Sequence, residues 1–205
     1  NFEDAVYLVR RRGQFMEEEA VKHPGKMLSI IGLDLAAVRE ICAQVKAEVA
    51  HINCPEQTVI SGSPQAIEKA QLLAEEKGAK LAVVLEVSGA FHSSFMQEAS
   101  VKLARELEKI NISAPKFPVI SNVTGKPVLN KEEIKQNLIR QVSASVLWED
   151  SIKLILSKGI SNFRKVPIIL FILFIVVVLQ VPLIEGYYKD IQKDQWREAT
   201  NYIEN

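Results

Sequence analysis

The sequence predicts an α/β fold in which short strands alternate with amphipathic helices. Hydrophobic residues make up 48% of the 205 residues and charged residues 24%, a balance typical of a chain with a buried core. Apolar runs of strand length, such as residues 27–32 and 58–61, alternate with segments of helical period. Pro and Gly residues mark the turns between them. This alternation favours an α/β protein over an all-helical or all-strand one.

Charge and cysteine content exclude several classes of function. Lys plus Arg and Asp plus Glu number 25 each, so zero net charge gives no reason to expect a nucleic-acid partner. Cys42 and Cys54 lack metal-ligand spacing and favour a reduced protein over a disulfide scaffold. We predict no metal site.

The first residues are polar and acidic, unlike a signal peptide. Because there is no starting Met, we expect the chain to be the middle part of a longer protein.

The first helix is predicted at residues 1–19, capped by Asn1. At about 100° per residue, one face collects six apolar side chains, those of Phe2, Ala5, Leu8, Val9, Phe15 and Met16. Arg12 falls in the middle of that face, whereas Arg10 and Arg11 fall outside it. A buried guanidinium is costly unless it is paired. Arg12 is therefore either a structural ion-pair partner or a bidentate clamp for a substrate carboxylate.

The pattern of residues 26–87 predicts a compact unit of order β-α-β-β-α-β, which is the ferredoxin-like pattern. Asp34 caps its first helix, and Ser63 or Pro64 starts its second. The strand at 48–53 turns at Cys54-Pro55-Glu56 into the next strand. Beyond this unit we predict a helix at 94–109, a buried strand at 117–121, a turn at 125–127, and helices at 131–141 and 148–157.

The three histidines differ in setting. His23 lies in a loop and is interpreted as solvated, and His51 lies in a strand and is interpreted as structural. His92 lies at a strand-to-helix junction among the small residues of 88–94. Loops at the carboxyl ends of strands are where α/β proteins place reactive groups, and histidine acts as a general base near neutral pH. The spacing alone is consistent with either a catalytic histidine or a helix-capping loop.

The segment 166–184 has no charged side chain over its 19 residues. A membrane-spanning helix needs roughly 20 apolar residues, so one interpretation is that this segment crosses a bilayer. A buried, strand-rich core and a stretch that is not native to this fold are the alternatives. Pro167, Gln180 and Pro182 weaken the membrane interpretation.

Six segments together resemble one family in both order and spacing. They include an Arg-Arg-Arg-Gly-Gln stretch at 10–14, Asn-Cys-Pro-Glu-Gln at 53–57 and Gly-Ala-Phe-His-Ser at 89–93. The full set is residues 1–6, 8–16, 31–33, 53–62, 89–93 and 118–125. The chain from residue 1 to about 163 thereby resembles the malonyl-CoA:acyl-carrier-protein transacylases, acyltransferases of fatty-acid and polyketide synthesis.

The resemblance implies a partial α/β-hydrolase-like acyltransferase domain at 1–25 and 88–163, with the ferredoxin-like subdomain inserted at 26–87. Residues 164–205 depart from the family and are interpreted as a divergent tail, with an apolar segment at 166–184. The implied location is the cytoplasm, with membrane association only if residues 166–184 are a genuine anchor. The implied partners are malonyl-CoA and acyl carrier protein. No cofactor is implied beyond the phosphopantetheine that the carrier protein bears.

The resemblance also implies roles for single residues. His92 matches the histidine that activates a serine nucleophile, and Arg12 matches the arginine that binds the malonyl carboxylate. The serine takes malonyl from malonyl-CoA as an ester and passes it to the phosphopantetheine thiol. Asn53 and Gln57 match polar residues that line the site of the family.

Two departures from the family bear on activity. No Gly-x-Ser-x-Gly elbow occurs in the 205 residues, so we expect the serine and its oxyanion hole ahead of Asn1 and the isolated chain to be inactive. The Gly-Pro-Gly loop, whose carbonyl is expected to orient the histidine, does not follow Phe163. A frameshift, a joined gene model and a real membrane-anchored fusion are three origins for the tail. A polyketide-synthase acyltransferase piece and an inactive membrane-anchored binding module are the alternative functions.

Overall fold

The computed structural model describes residues 2–159, which form six α-helices and seven strands. The helices are α1 (Phe2–Lys22), α2 (Leu35–Val45), α3 (Pro64–Glu76), α4 (Gln97–Glu108), α5 (Lys131–Gln141) and α6 (Trp148–Ser157). The strands are β1 (Lys26–Ile31), β2 (Glu48–Cys54), β3 (Gln57–Gly62), β4 (Leu81–Leu85), β5 (Val119–Ser121), β6 (Lys126–Val128) and β7 (Val146–Leu147). A 3-10 turn at Ser94–Met96 leads into α4.

Five strands form one mixed sheet in the order β4-β1-β3-β2-β7. The first four pair antiparallel, and β7 adds to β2 in parallel. The predicted α/β class is confirmed, and the element order from β1 to β4 is the β-α-β-β-α-β order expected from the sequence. The division of the chain into a large domain and an inserted subdomain stays a prediction. Strand β7 joins this sheet although it lies outside the predicted unit.

Helices α2 and α3 cover this sheet and begin where the capping residues predict. Asp34 Oδ1 accepts the Ala37 N–H at 2.8 Å, and Ser63 Oγ accepts the Ala66 N–H at 3.2 Å. The residues buried between the helices and the sheet are aliphatic apart from Cys42, and eight of them are 0% exposed: Leu28, Ile30, Val38, Ile41, Ile60, Ile67, Ala70 and Ala74. Burial of this surface, at about 25 cal/mol per Å², is what holds α2 and α3 on the sheet.

Helix α1 packs against α4, but its buried face is only partly the predicted one. Phe15 and Met16 are buried, whereas Phe2 is 80% exposed and Ala5 is also exposed. Arg11, which the projection placed outside the face, stacks 4.5 Å from the Phe15 ring and pairs with α4. The projection counts apolar residues only, while a long arginine covers apolar surface with its stem and keeps its charge at the edge.

Two other predictions are wrong in detail. The strand at 117–121 was expected to be buried, yet Phe117 is 78% and Val119 51% exposed. Strand β5 pairs with β6 in a two-stranded hairpin, so it lacks the cover of the large sheet. Gly125 turns as predicted, with φ +61°, but Lys126 already belongs to β6.

The apolar segment 166–184 lies outside the described residues. Among residues 2–159, no helix combines the length and the apolar character that a membrane span needs.

Candidate active site

His92 lies in the loop between β4 and α4 with a left-handed backbone, φ 56°. Such a conformation costs a non-glycine residue about 1–2 kcal/mol and persists where the surroundings hold it. Ser93 Oγ donates to the Ala90 carbonyl at 2.6 Å, and Ser61 Oγ of β3 donates to the Phe91 carbonyl at 2.6 Å. The loop is therefore fixed on both sides of the histidine.

The serines after His92 bind to the loop and the sheet instead of capping the helix. Ser93 provides no side-chain cap to the turn that it precedes. The Ser94 backbone N–H donates to both carboxylate oxygens of Glu48 at 3.1 Å, and its hydroxyl donates to the same carboxylate. Of the two interpretations of this loop, capping by these serines is wrong.

Two glycines allow the loop to approach its neighbours closely. A Cβ on Gly25 would lie 2.5 Å from the Ala90 Cβ and 2.9 Å from the Ala90 backbone N. A Cβ on Gly89 would lie 2.7 Å from the Ala20 Cβ of α1. Neither position has room for a side chain, because real Cβ atoms essentially never approach that closely. The glycines thus set how near α1 and the sheet lie to His92.

The His92 ring is oriented by backbone carbonyls. Its Nδ1 lies 3.0 Å from the Gln141 oxygen and 3.2 Å from the Ala144 oxygen. A carbonyl can only accept, so Nδ1 carries the hydrogen and donates it, which leaves the lone pair on Nε2. Nε2 is the nitrogen from which a general base acts.

The origin of these carbonyls differs from the expectation. In the family this carbonyl is expected from a Gly-Pro-Gly loop that does not follow Phe163 here. The carbonyls beside Nδ1 instead come from Gln141, the last residue of α5, and from Ala144, three residues beyond it. The last carbonyls of a helix have no partner within the helix and are open to other donors. Carbonyls carry no side-chain signal, and these lie 49 and 52 positions from His92, so the sequence did not reveal them.

His51 is the neighbour that the sequence analysis missed. Its ring meets the His92 ring edge-on, with centroids 4.9 Å apart and planes at 77°. Burial lowers the pKa of His51 to about 4, so it is neutral at pH 7. From the sequence, His51 was interpreted as structural. The contact with His92 was not apparent, because β2 and the His92 loop are distant in sequence. His23 is exposed, as predicted.

Burial also lowers the pKa of His92, to about 3, and the charge that His51 gains on protonation and the charge of Arg12 lower it further. The hydrogen bonds to Ala144 and Gln141 act in the opposite direction. The ring is therefore neutral throughout the neutral pH range, and Nε2 carries a lone pair and no proton.

Arg12 is half-buried on α1, and its charge acts on the His92 ring. Burial lowers the pKa of Arg12, although a guanidinium stays charged at neutral pH. Arg11 pairs with Glu106 at 3.6 Å, and Arg10 is exposed. Of the three consecutive arginines, Arg12 is the one that perturbs the pKa of His92.

Asn53 and Gln57 lie where β2 turns into β3. Ile52 pairs with Thr58 and Cys54 with Gln57, so Asn53 is the extra residue of a β-bulge, a feature frequent beside active sites. Gln57 Oε1 accepts a hydrogen bond from Cys54 Sγ at 3.2 Å. The structure thus places Gln57 at the start of β3 and Asn53 two residues along β2 from His51. Their role in lining a substrate site stays a prediction.

Together, a neutral histidine with a defined tautomer and a nearby guanidinium suit proton transfer next to a bound carboxylate. Within residues 2–159, no group of three or more His, Cys, Asp or Glu side chains is placed to hold a metal ion.

Comparison with known proteins identifies the family. A family profile described as the acyl transferase domain matches residues 1–167, so the chain belongs to the acyl transferase domain family. The resemblance predicted from the motifs is confirmed at this level.

Individual relatives agree with the profile. The chain is 41% identical over 171 residues to the malonyl CoA-acyl carrier protein transacylase of Bacillus subtilis, covering 81% of this chain and 54% of that protein. The structure of the malonyl CoA-acyl carrier protein transacylase from Coxiella burnetii superposes with a TM-score of 0.75 at 39% identity, covering 78% of this chain and 52% of the other.

A complex of a type II PKS acyl-carrier protein with its malonyl-transacylase, PlMCAT:AntF, gives a TM-score of 0.72 at 35% identity, covering 75% of this chain and 51% of the other. The chain spans about half the length of the curated transacylases that it matches.

Proposed function

We propose that this chain supplies the base and the carboxylate-binding arginine of an acyltransferase that moves malonyl from malonyl-CoA to the phosphopantetheine thiol of acyl carrier protein. The observation that carries the proposal is the neutral His92, oriented through Nδ1, with the charge of Arg12 acting on its ring. Membership of the acyl transferase domain family and the names of the relatives support the substrates. The cytoplasmic location expected for the family stays a prediction.

The reaction divides into two proton-balanced halves. A serine hydroxyl gives its proton to His92 Nε2 while its oxygen attacks the thioester carbonyl, and the C–S bond breaks as the CoA sulfur takes that proton. The phosphopantetheine thiol then gives its proton to Nε2 while its sulfur attacks the carbonyl of the seryl ester, and the ester C–O bond breaks as the serine oxygen takes that proton. The serine belongs to a Gly-x-Ser-x-Gly segment that these 205 residues do not contain.

In the proposed function, Arg12 gives the site a preference for malonyl over acetyl groups. A guanidinium binds a carboxylate with two parallel hydrogen bonds, and a hydrogen bond to a charged group is worth about 1.5–3 kcal/mol. A partly buried site strengthens the interaction, because less water competes for the charge. An acetyl group offers no carboxylate, so Arg12 would remain without this partner when acetyl-CoA is bound.

Binding of acyl-CoA to the 205-residue chain tests the proposal. We expect calorimetric titration to show malonyl-CoA bound roughly 10- to 100-fold more tightly than acetyl-CoA. Arg12→Gln should abolish this preference. Arg10→Gln, on the same helix but exposed, is the matched control and should retain it. Equal binding of both acyl-CoAs by the unmodified chain, or an equal loss in both variants, would contradict the role of Arg12.

The transfer reaction itself is expected to be absent from this chain alone. Loss of the nucleophile from a catalytic set costs about 10⁶-fold in rate. Incubation with labelled malonyl-CoA and acyl carrier protein should therefore leave the carrier protein unlabelled. Appreciable labelling would show that the seryl ester is not an obligatory intermediate.

A second candidate is a piece of a polyketide-synthase acyltransferase. The malonyl-transacylase that is similar at a TM-score of 0.72 works with a type II PKS carrier protein, which favours this alternative within the same chemistry. Ketosynthase or carrier sequence next to this chain in a longer reading frame would identify it. The third interpretation, an inactive membrane-anchored binding module, depends on residues 166–184, outside the described residues.

A further inference from the structure

His51 lies in β2 between two bulges, at Val49/His51 and at Ile52/Cys54. Bulges bend a strand and redirect its side chains, and they are frequent beside active sites. His51 is also where β2 pairs with β7, opposite Val146. Strand β7 follows directly on the segment that supplies the Gln141 and Ala144 carbonyls. His51 is therefore the position at which β2 pairs with β7, and β7 leads back to the carbonyls that bind His92.

The carbonyls alone do not define the orientation of the His92 ring. Nδ1 lies within hydrogen-bond distance of two oxygens, at 3.0 Å and 3.2 Å, so a tilt of the ring trades one bond for the other. The edge-on contact with His51, at 4.9 Å between centroids, limits that tilt. An edge-to-face arrangement is the geometry that aromatic rings prefer.

We propose that His51 is a positioning residue for His92: its ring packs edge-on against the His92 ring, keeps Nδ1–H directed at the two carbonyls and keeps water from the ring. The inference rests on the proposed function only in that His92 is the base whose orientation matters. It concerns a residue that touches the base and not the reacting atoms.

Ring packing, and not hydrogen bonding, is the means by which His51 acts. Its Nε2 is buried and has no hydrogen-bond partner among residues 2–159. A phenylalanine would present a similar ring in the same place without the two nitrogens. We therefore expect Phe to substitute for His51 in orienting His92, whereas Ala or Asn should not.

The charges that face the pair give this arrangement a pH dependence. Arg12 acts on His92 from α1, Gln141 and Ala144 approach it with their carbonyls, and Glu48 of β2 binds Ser94. With a pKa of about 4, His51 takes up a proton before His92, and its charge then opposes protonation of His92. Loss of the ring removes both this charge and part of the exclusion of water.

Nitrogen NMR of the 205-residue chain tests the proposal, because only three histidines contribute signals. Long-range proton–nitrogen spectra report the tautomer and the titration midpoint of each ring. In the unmodified chain we expect His92 in the Nδ1–H tautomer with a strongly acidic midpoint. In His51→Ala and His51→Asn we expect a mixture of tautomers and a His92 midpoint higher by about one pH unit or more.

His51→Phe is the matched variant and should preserve the Nδ1–H tautomer of His92, with a smaller rise of the midpoint. The exposed His23 is the internal control and should not change in any variant. The proposal would be overturned if the His92 tautomer were unchanged in His51→Ala and His51→Asn. It would also be overturned if His51→Phe lost the Nδ1–H tautomer of His92 while the rest of its spectrum was retained. None of these signals depends on malonyl binding or transfer, so failure of the proposed function is a separate result.

Discussion

Two regions of the molecule are stabilised differently. The sheet unit consists of residues 26–85, including helices α2 and α3, and the helix layer consists of helices α1, α4 and α5. The core of the sheet unit is aliphatic, and residues such as Leu28 and Ile60 are 0% exposed. The helix layer adds charged contacts: Glu19, 1% exposed, binds Lys102 at 2.9 Å, and Tyr7 donates to Glu106 at 2.9 Å.

The difference shows why the candidate site lies where it does. His92 is at the junction of the two regions, with His51 contributed by the sheet unit and the Gln141 carbonyl by the helix layer. Junction contacts recur nearby, where Ser145 Oγ donates to the Val49 carbonyl at 2.5 Å and Ser61 holds the loop of His92. The site is therefore a property of how the regions meet and not of either one alone.

Truncation in the aliphatic core should give the largest effect. Ile30→Ala is expected to lower the free energy of unfolding by about 2–5 kcal/mol, because it leaves a cavity that the close-packed sheet cannot fill. Leu129→Ala, at a side chain 67% exposed, is the control outside the sheet unit and should stay within about 0.5 kcal/mol. Urea denaturation measures both. Equal losses would contradict the assignment of Ile30 to a close-packed core.

A change at the junction should have an intermediate effect. Gly25→Ala places a methyl group 2.5 Å from the Ala90 Cβ and 3.0 Å from the Gly62 carbonyl oxygen, so the His92 loop must shift. Such overpacking costs about 1–3 kcal/mol of unfolding free energy. The matched variant Gly62→Ala meets its nearest atom at 3.3 Å and should cost less when compared by the same urea denaturation. A larger loss in Gly62→Ala would contradict this ranking of close approaches.

Acid should weaken the junction gradually. The pKa values of His51 and His92, about 4 and about 3 when folded, lie below the ordinary value near 6.5, so the unfolded chain binds more protons as the pH falls. Their contribution to stability is complete above pH 6.5 and is lost progressively towards pH 4 and then pH 3. The slope is at most about 1.4 kcal/mol per pH unit for each histidine.

Urea denaturation between pH 7.5 and 5 measures this slope. His51→Phe should reduce it, because one of the two buried histidines is removed, and His23→Ala should not. An identical slope in all three chains would mean that buried histidines do not govern the acid response.

Local structure was predictable wherever short-range chemistry decides it. Helices α5 and α6 begin and end at the predicted residues, and Asp34 and Ser63 cap α2 and α3 as expected, because caps and periodicity act within a few residues. Burial of the strand at 117–121 could not be inferred, since an apolar run does not say which surface will cover it. Strand β7 was missed because two residues give no periodic pattern.

The sequence by itself determined the α/β class, the family motifs, and His92 and Arg12 as candidate site residues. The tertiary structure decided what surrounds them: the carbonyls of Gln141 and Ala144 that establish the Nδ1–H tautomer, and the ring of His51 against His92. The physical reason is that residue type and spacing report local preferences. The orientation and pKa of a buried ring depend instead on groups that folding brings from distant parts of the chain.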